Sequence, residues 1–266
     1  MDYLPKRVFA VLGATLISLS AQAATTWEGT ADYGVETVGP FDGYDFGVGL
    51  VLLKAAPGSG SPTSPSVGDI YNGYLQTFVT GHSLGFAGVT APNLNITGEG
   101  AGYELTMRAD FQEEITNVTE SNVDFIITGG TAEIYLDGSP NYNFLTDSGF
   151  TDGNAILNAS IVGGSGTVFG GRLGVTSIDV MVTGYDSNVF SPATILGGSS
   201  VFTLQLTDGT TDFSGITSIQ GNSVDMGDFL VSVDGNLTLS EIPVPAAVWL
   251  FGSGLLGLVG MARRRG

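Results

Sequence analysis

Through most of the chain apolar and polar residues alternate with the period of two that belongs to β-strands, and no interior segment shows the 3.6-residue spacing of an amphipathic helix. Gly102–Phe111 is the clearest case. Tyr103, Leu105, Met107, Ala109 and Phe111 fall on one face, and Glu104, Thr106, Arg108 and Asp110 on the other, as in a half-buried antiparallel strand. Phe46–Lys54 and Ile70–Thr80 are further strands, separated by the loop Ala55–Val67 (AAPGSGSPTSPSV). The segment ahead of that loop is too short to bury a core, so the loop is expected to be a surface excursion within one domain. Asn122–Asp137 reads as a hairpin turning at Gly129-Gly130, and Val231–Leu239 as another turning at Asp234-Gly235. Ala155–Val162, Val175–Thr183 and Ser200–Thr207 add strands punctuated by Gly-Gly pairs that begin at 163, 170 and 197. A dozen or so short strands in about 215 residues predict an all-β ectodomain, a β-sandwich or jelly-roll-like fold over residues 24–241. A β-solenoid is the alternative, and the absence of a fixed glycine period counts against it.

The pattern changes at both ends. Lys6 and Arg7 precede an apolar run, Val8–Leu19, and then Ala21-Gln22-Ala23, the small-residue pattern of a signal-peptidase site at Ala21 and Ala23, so residues 1–23 are expected to be a removed signal peptide. Residues 242–266, IPVPAAVWLFGSGLLGLVGMARRRG, combine Pro243 and Pro245 with an uncharged apolar run, 246–262, and a basic stop at Arg263, Arg264 and Arg265. As a helix that run spans roughly 25 Å, at the short end of what crosses a bilayer core, and the arginines favour a cytoplasmic tail. One C-terminal transmembrane helix is therefore expected. Ser253 and Gly257 give it a small-xxx-small face suited to close helix contact.

This tail resembles the PEP-CTERM sorting signal of Gram-negative bacteria, with Val244 standing where the name-giving motif has Glu. The resemblance implies a membrane-embedded exosortase as processing partner. It also implies transient anchoring in the inner membrane, delivery to the cell surface or extracellular matrix, and an association with exopolysaccharide and biofilm. In its Tyr33-Gly34 start and its TAEIYLD strand, the body resembles flocculation-associated members of the same group. An ordinary C-terminal anchor is the alternative.

Composition sharpens this picture. The chain has no cysteine, so a protein outside the cytoplasm must be stable without disulfides. Between its targeting ends it carries 25 acidic residues against 3 basic ones, Lys54, Arg108 and Arg172. Such a surface repels nucleic acid and anionic headgroups. Glycine, at 41 residues, suits short strands and tight turns.

Candidate chemistry is sparse. His82 is the only histidine, which excludes zinc sites built on His and Cys. Ser83 is adjacent, but no Gly-x-Ser-x-Gly elbow in a strand-to-helix setting accompanies it. Glycosidic hydrolysis needs two carboxyls facing across a sugar; Glu113 and Glu114 point to opposite sides if they lie on a strand. Asp208 with Asp212, and Asp225 with Asp228, place paired carboxylates within turns and are weak Ca²⁺ candidates; no other cofactor is expected. Tyr71, Tyr74 and Phe78 offer either a flat face for a glycan or, for Tyr74, Gln76 and Phe78, a core stripe. The sequons at Asn95, Asn117, Asn158 and Asn236 carry no function. The reading is a non-enzymatic exported surface or matrix protein, structural or adhesive, with a carbohydrate-binding module or a secreted polysaccharide hydrolase as alternatives.

Overall fold

The computed structural model describes residues 25–97, 102–171, 173–206 and 214–241. The signal-peptide residues Ala21 and Ala23, the sorting residues Pro243, Val244, Pro245 and Arg263–Arg265, and Asp208 and Asp212 lie outside them.

Among the described residues the chain is all-β, with no helix. The strands in order are β1 (Thr25–Thr26), β2 (Gly29–Asp32), β3 (Thr37–Phe41), β4 (Gly43–Ala55), β5 (Ile70–Leu84), β6 (Ala87–Val89), β7 (Glu104–Val118), β8 (Asn122–Asp137), β9 (Asn154–Phe169), β10 (Leu173–Tyr185), β11 (Phe190–Ser191), β12 (Ser199–Leu206), β13 (Ser218–Ile219), β14 (Asn222–Ser223), β15 (Phe229–Thr238) and β16 (Ser240–Glu241).

The architecture differs from the expected sandwich. Eight strands, β4, β5, β7, β8, β9, β10, β12 and β15, follow one another as an antiparallel meander, and β15 pairs back onto β4, with Val231 opposite Val51. The result is a closed up-and-down barrel. A sandwich keeps open edges, whereas here the first and last strands satisfy each other's hydrogen bonds.

The two expected hairpins are single strands. β8 runs unbroken through Gly129-Gly130 and stays paired to β7 on one side and β9 on the other. Gly130 serves close strand approach rather than a turn. A Cβ on Gly130 would lie 2.1 Å from the Asp110 carbonyl oxygen, and the register shifts nearby, between Gln112 and Glu113. β15 likewise runs through Asp234-Gly235 with a register shift against β4, and a Cβ on Gly235 would sit 2.5 Å from the Thr203 carbonyl. Gly163-Gly164 falls inside β9, and only Gly170-Gly171, with positive φ at both residues, forms a hairpin turn, between β9 and β10. Long strands kinked at glycines coil into a small barrel where short stiff ones would stack as sheets.

The barrel interior has two unlike ends. At one end the N-terminal segment forms a plug. Trp27 is fully buried, donates from Nε1 to the Pro192 carbonyl at 3.0 Å, and meets Phe41 and Phe190 edge-on. β2, β3 and β11 make a small sheet around it. The middle is packed by Phe46, Leu75, Met107, Ile134, Leu157 and Phe202 among others.

Outside the barrel, segments 138–153 and 214–228 cover β4, β5 and β7. Leu50 and Leu52 point outward into a second small core with Ile219, while Val51 points inward, which explains the unbroken apolar run at 50–53. Tyr74, Gln76 and Phe78 do share one face of β5, but it is the outer face beneath this cover. Phe78 stacks on Tyr142 with ring centroids 4.4 Å apart, so the aromatic stripe is packed and offers no open platform to a glycan. Glu104, fully buried there, accepts backbone hydrogen bonds from Asn141 at 3.0 Å and Tyr142 at 3.4 Å and so ties the covering segment to β7. Residues Ala24–Val244 form one compact unit, and among the described residues its main core runs from Trp27 to Leu239.

Candidate ligand-binding lumen

Away from the plug the barrel is hollow. A cavity of about 540 Å³ occupies this end, walled by the last inward residues of each strand. Its size falls within the range of small-molecule sites. It exists because several inward positions here are small. Gly73 and Gly166 lie opposite Phe111 and Phe125 in register, and a Cβ on either glycine would come within 2.3 Å of the facing ring. The phenyl rings therefore lie flat along the wall over the glycines and leave the centre empty.

The loop Ala55–Val67, expected to be a surface excursion, lies at the surface and forms an ordered rim. Pro62–Pro65 line the mouth of the cavity. Asp69 accepts hydrogen bonds from the amides of Gly60 at 2.9 Å and Ser66 at 2.8 Å, and those bonds hold its carboxyl below the usual range. Ser61 Oγ donates to the Gly227 carbonyl at 2.6 Å, and the amide of Gly68 donates to Ile115 at 2.8 Å. Prolines and Asx-type bonding hold this loop without regular structure.

Two ionisable side chains belong to the wall. Tyr71 on β5 donates to Asp69 Oδ2 at 3.2 Å, and burial, followed by the Asp69 charge, pushes its phenol up. Glu113, its register partner on β7, is 4% exposed. It has no hydrogen-bond or ion-pair partner among the described residues, and burial pushes its carboxyl up to about 8. At neutral pH most of it is the uncharged acid, a donor as well as an acceptor. Glu114 points outward and is half-buried, so the two neighbouring carboxyls lie on opposite sides of the strand as expected.

The strand expected to end at Phe111 runs on to Val118 and carries Glu113 on its inward face. The signal was present: the inward series from Tyr103 continues through Glu113 to Ile115, placing one acid in an otherwise apolar face.

His82 lies at the opposite, plugged end. It is 2% exposed, with Nε2 2.8 Å from the Tyr33 hydroxyl, which in turn lies 3.1 Å from the Tyr44 hydroxyl. Burial pushes its imidazole down to about 4. Its hydrogen-bonded neighbour is a tyrosine, not Ser83, and no Ser-His-Asp arrangement forms among the described residues. Asp225 and Asp228 both pair with Lys54 Nζ, and the Asp225 amide donates to Asp228 at 2.9 Å. The described residues contain no group of three or more His, Asp or Glu able to hold a metal ion.

Comparison of the chain with protein-family profiles, with curated proteins and with solved structures finds no match.

Proposed function

We propose that this chain is an exported protein of the cell surface or extracellular matrix, delivered by its C-terminal signal to an exosortase, and that its body is a non-catalytic barrel that binds a small apolar molecule. Export and sorting rest on the signal-peptide pattern and on the proline, apolar and triple-arginine sequence of the tail. Binding rests on one observation: the half-hollow barrel, whose cavity of about 540 Å³ is open beside an ordered rim and lined almost wholly by aliphatic and aromatic side chains. An association with exopolysaccharide would then use the acidic outer surface and not the lumen, since a sugar's hydroxyls would find few partners inside. Among the described residues the lumen wall offers one carboxyl where glycosidic hydrolysis uses two, which favours binding over cleavage.

The test is titration of the purified Ala24–Val244 body with Nile red, an uncharged apolar dye. Saturable one-to-one binding with a fluorescence rise is expected. It should be lost in Leu204→Trp, which fills the lumen and whose fold is checked by circular dichroism. Binding that fails to saturate, or that is unchanged in a folded Leu204→Trp, overturns the reading.

A further inference from the structure

Within the lumen the position of Glu113 is specific. It sits on the inward face of β7 between Phe111 and Ile115, a 4% exposed residue whose carboxyl has no protein partner among the described residues and opens only onto the cavity. Native proteins seldom leave a buried carboxyl unsatisfied, because the lost hydration is offset only by a hydrogen bond or an opposite charge. The groups facing it do not supply one. Across the β5–β7 pair stands Tyr71, whose hydroxyl is already committed to Asp69 at the rim. The lining from β4, β8, β9, β10, β12 and β15 is aliphatic, aromatic, glycine or threonine, and the rim adds Pro62, Thr63, Ser64, Pro65, Val118 and Thr119. Among the described lining residues no side chain carries a positive charge.

We propose that the lumen takes a hydrophobic amine, an apolar body carrying one ammonium group that pairs with the Glu113 carboxylate. This rests on the reading of the barrel as a binding protein and names the class of ligand. The apolar wall supplies the larger part of the affinity by burying hydrocarbon, and the ion pair supplies selection. An ammonium gives the unpartnered carboxyl its missing donor and neutralises it, and it enters through a strongly acidic surface that attracts cations. A fatty carboxylate of the same length meets the opposite conditions: no cation among the described lining residues, and a carboxyl that repels it. The cavity holds a ligand of about 10–25 non-hydrogen atoms.

Proton linkage separates this from binding through the neutral acid. An ammonium binds the ionised form, so Glu113 must release its proton. Affinity then rises with pH up to the carboxyl's own pKa and levels off above it. A neutral alcohol or ketone that accepts a hydrogen bond from the protonated acid shows the reverse.

The experiment is isothermal titration of the Ala24–Val244 body with n-decylamine, n-decanol and sodium decanoate at pH 6, 7, 8 and 9. Decylamine is expected to bind best, with an affinity that rises about 50-fold from pH 6 to pH 8 and flattens beyond, and with about 0.9 proton released at pH 7. Glu113→Gln should lower decylamine binding to the level of decanol and reduce its pH dependence to about twofold or less. If decanol or decanoate binds as well as decylamine, or if decylamine binding weakens as pH rises, the amine assignment fails while the binding barrel stands. If none of the three binds, the lumen reading fails too. The wild-type pH profiles decide the matter even where Glu113→Gln folds poorly.

Discussion

Replacing Glu113 by Gln should make the body more stable, and by an amount that depends on pH in a defined way. Gln keeps the size and hydrogen-bonding capacity of the acid and removes only its ability to ionise. In the folded barrel, burial raises the carboxyl from its ordinary value of 4.5 to about 8. An acid whose folded pKa is raised binds its proton more tightly when folded, so ionisation works against the fold. The penalty is absent below about pH 4.5, grows by about 1.4 kcal/mol per pH unit between the two values, and is complete above about pH 8. Its full size is about 5 kcal/mol, and about 3 kcal/mol is already present at pH 7. Urea denaturation of both proteins at pH 4.5, 6, 7, 8 and 9 measures it. Taking the difference between them cancels the general repulsion among the acidic side chains, which also weakens the fold as pH rises. The two curves should converge near pH 4.5 and separate by about 5 kcal/mol at pH 9, or on the order of 10–20 °C in Tm. A separation that does not change with pH would show that Glu113 is hydrated or paired, and would remove the physical basis for an unsatisfied group in the lumen.

The buried imidazole at the other end behaves in the opposite sense. With its folded pKa pushed down to about 4, His82 should stay neutral throughout the range in which an ordinary histidine titrates, and stability should fall by about 3 kcal/mol as pH drops from about 6.5 to about 4. Because the chain has one histidine, a single set of imidazole resonances in heteronuclear NMR reports this; a midpoint near 6.5 would refute the sealed Tyr33–His82–Tyr44 cluster. For the sorting proposal, the intact mass of the extracellular form should place its C-terminus near Pro243–Ala246. A species that still carries Arg263–Arg265 would contradict removal of the tail.

What the sequence disclosed, and what it withheld, follows from the range of the interactions involved. Alternation along Tyr103–Phe111 is a local property of one strand, and the structure reproduces it face for face, with Glu104 and Thr106 buried only because segment 138–153 folds over them. Gly129-Gly130 is ambiguous by nature. A tight turn and a close strand approach both require the missing Cβ, and what decides between them is the Asp110 carbonyl, a neighbour on another strand. Closure of the barrel is less local still, since it depends on Val231 meeting Val51 across nearly the whole body. The rim loop reads from composition only as a surface excursion, and the bonds that tie it to the body come from Asp69 and Gly227, neither of which lies in the loop. Glu113 was legible in principle, because the two-residue period predicts its direction once the strand is carried past Phe111.

Closure of the barrel also bears on how such a protein can live in a crowded matrix. Each of its eight staves is hydrogen-bonded on both sides, β15 and β4 included, so among the described residues the barrel presents no row of free amides and carbonyls for another copy to lengthen the sheet. Self-assembly through backbone pairing, the route by which many secreted β-proteins become fibres, is thereby shut off at the barrel wall. In the proposed matrix role, cohesion between cells or polymer strands would have to come from side-chain surfaces. Under the proposed sorting, a high local concentration at the cell surface would leave the lumens separate and individually open.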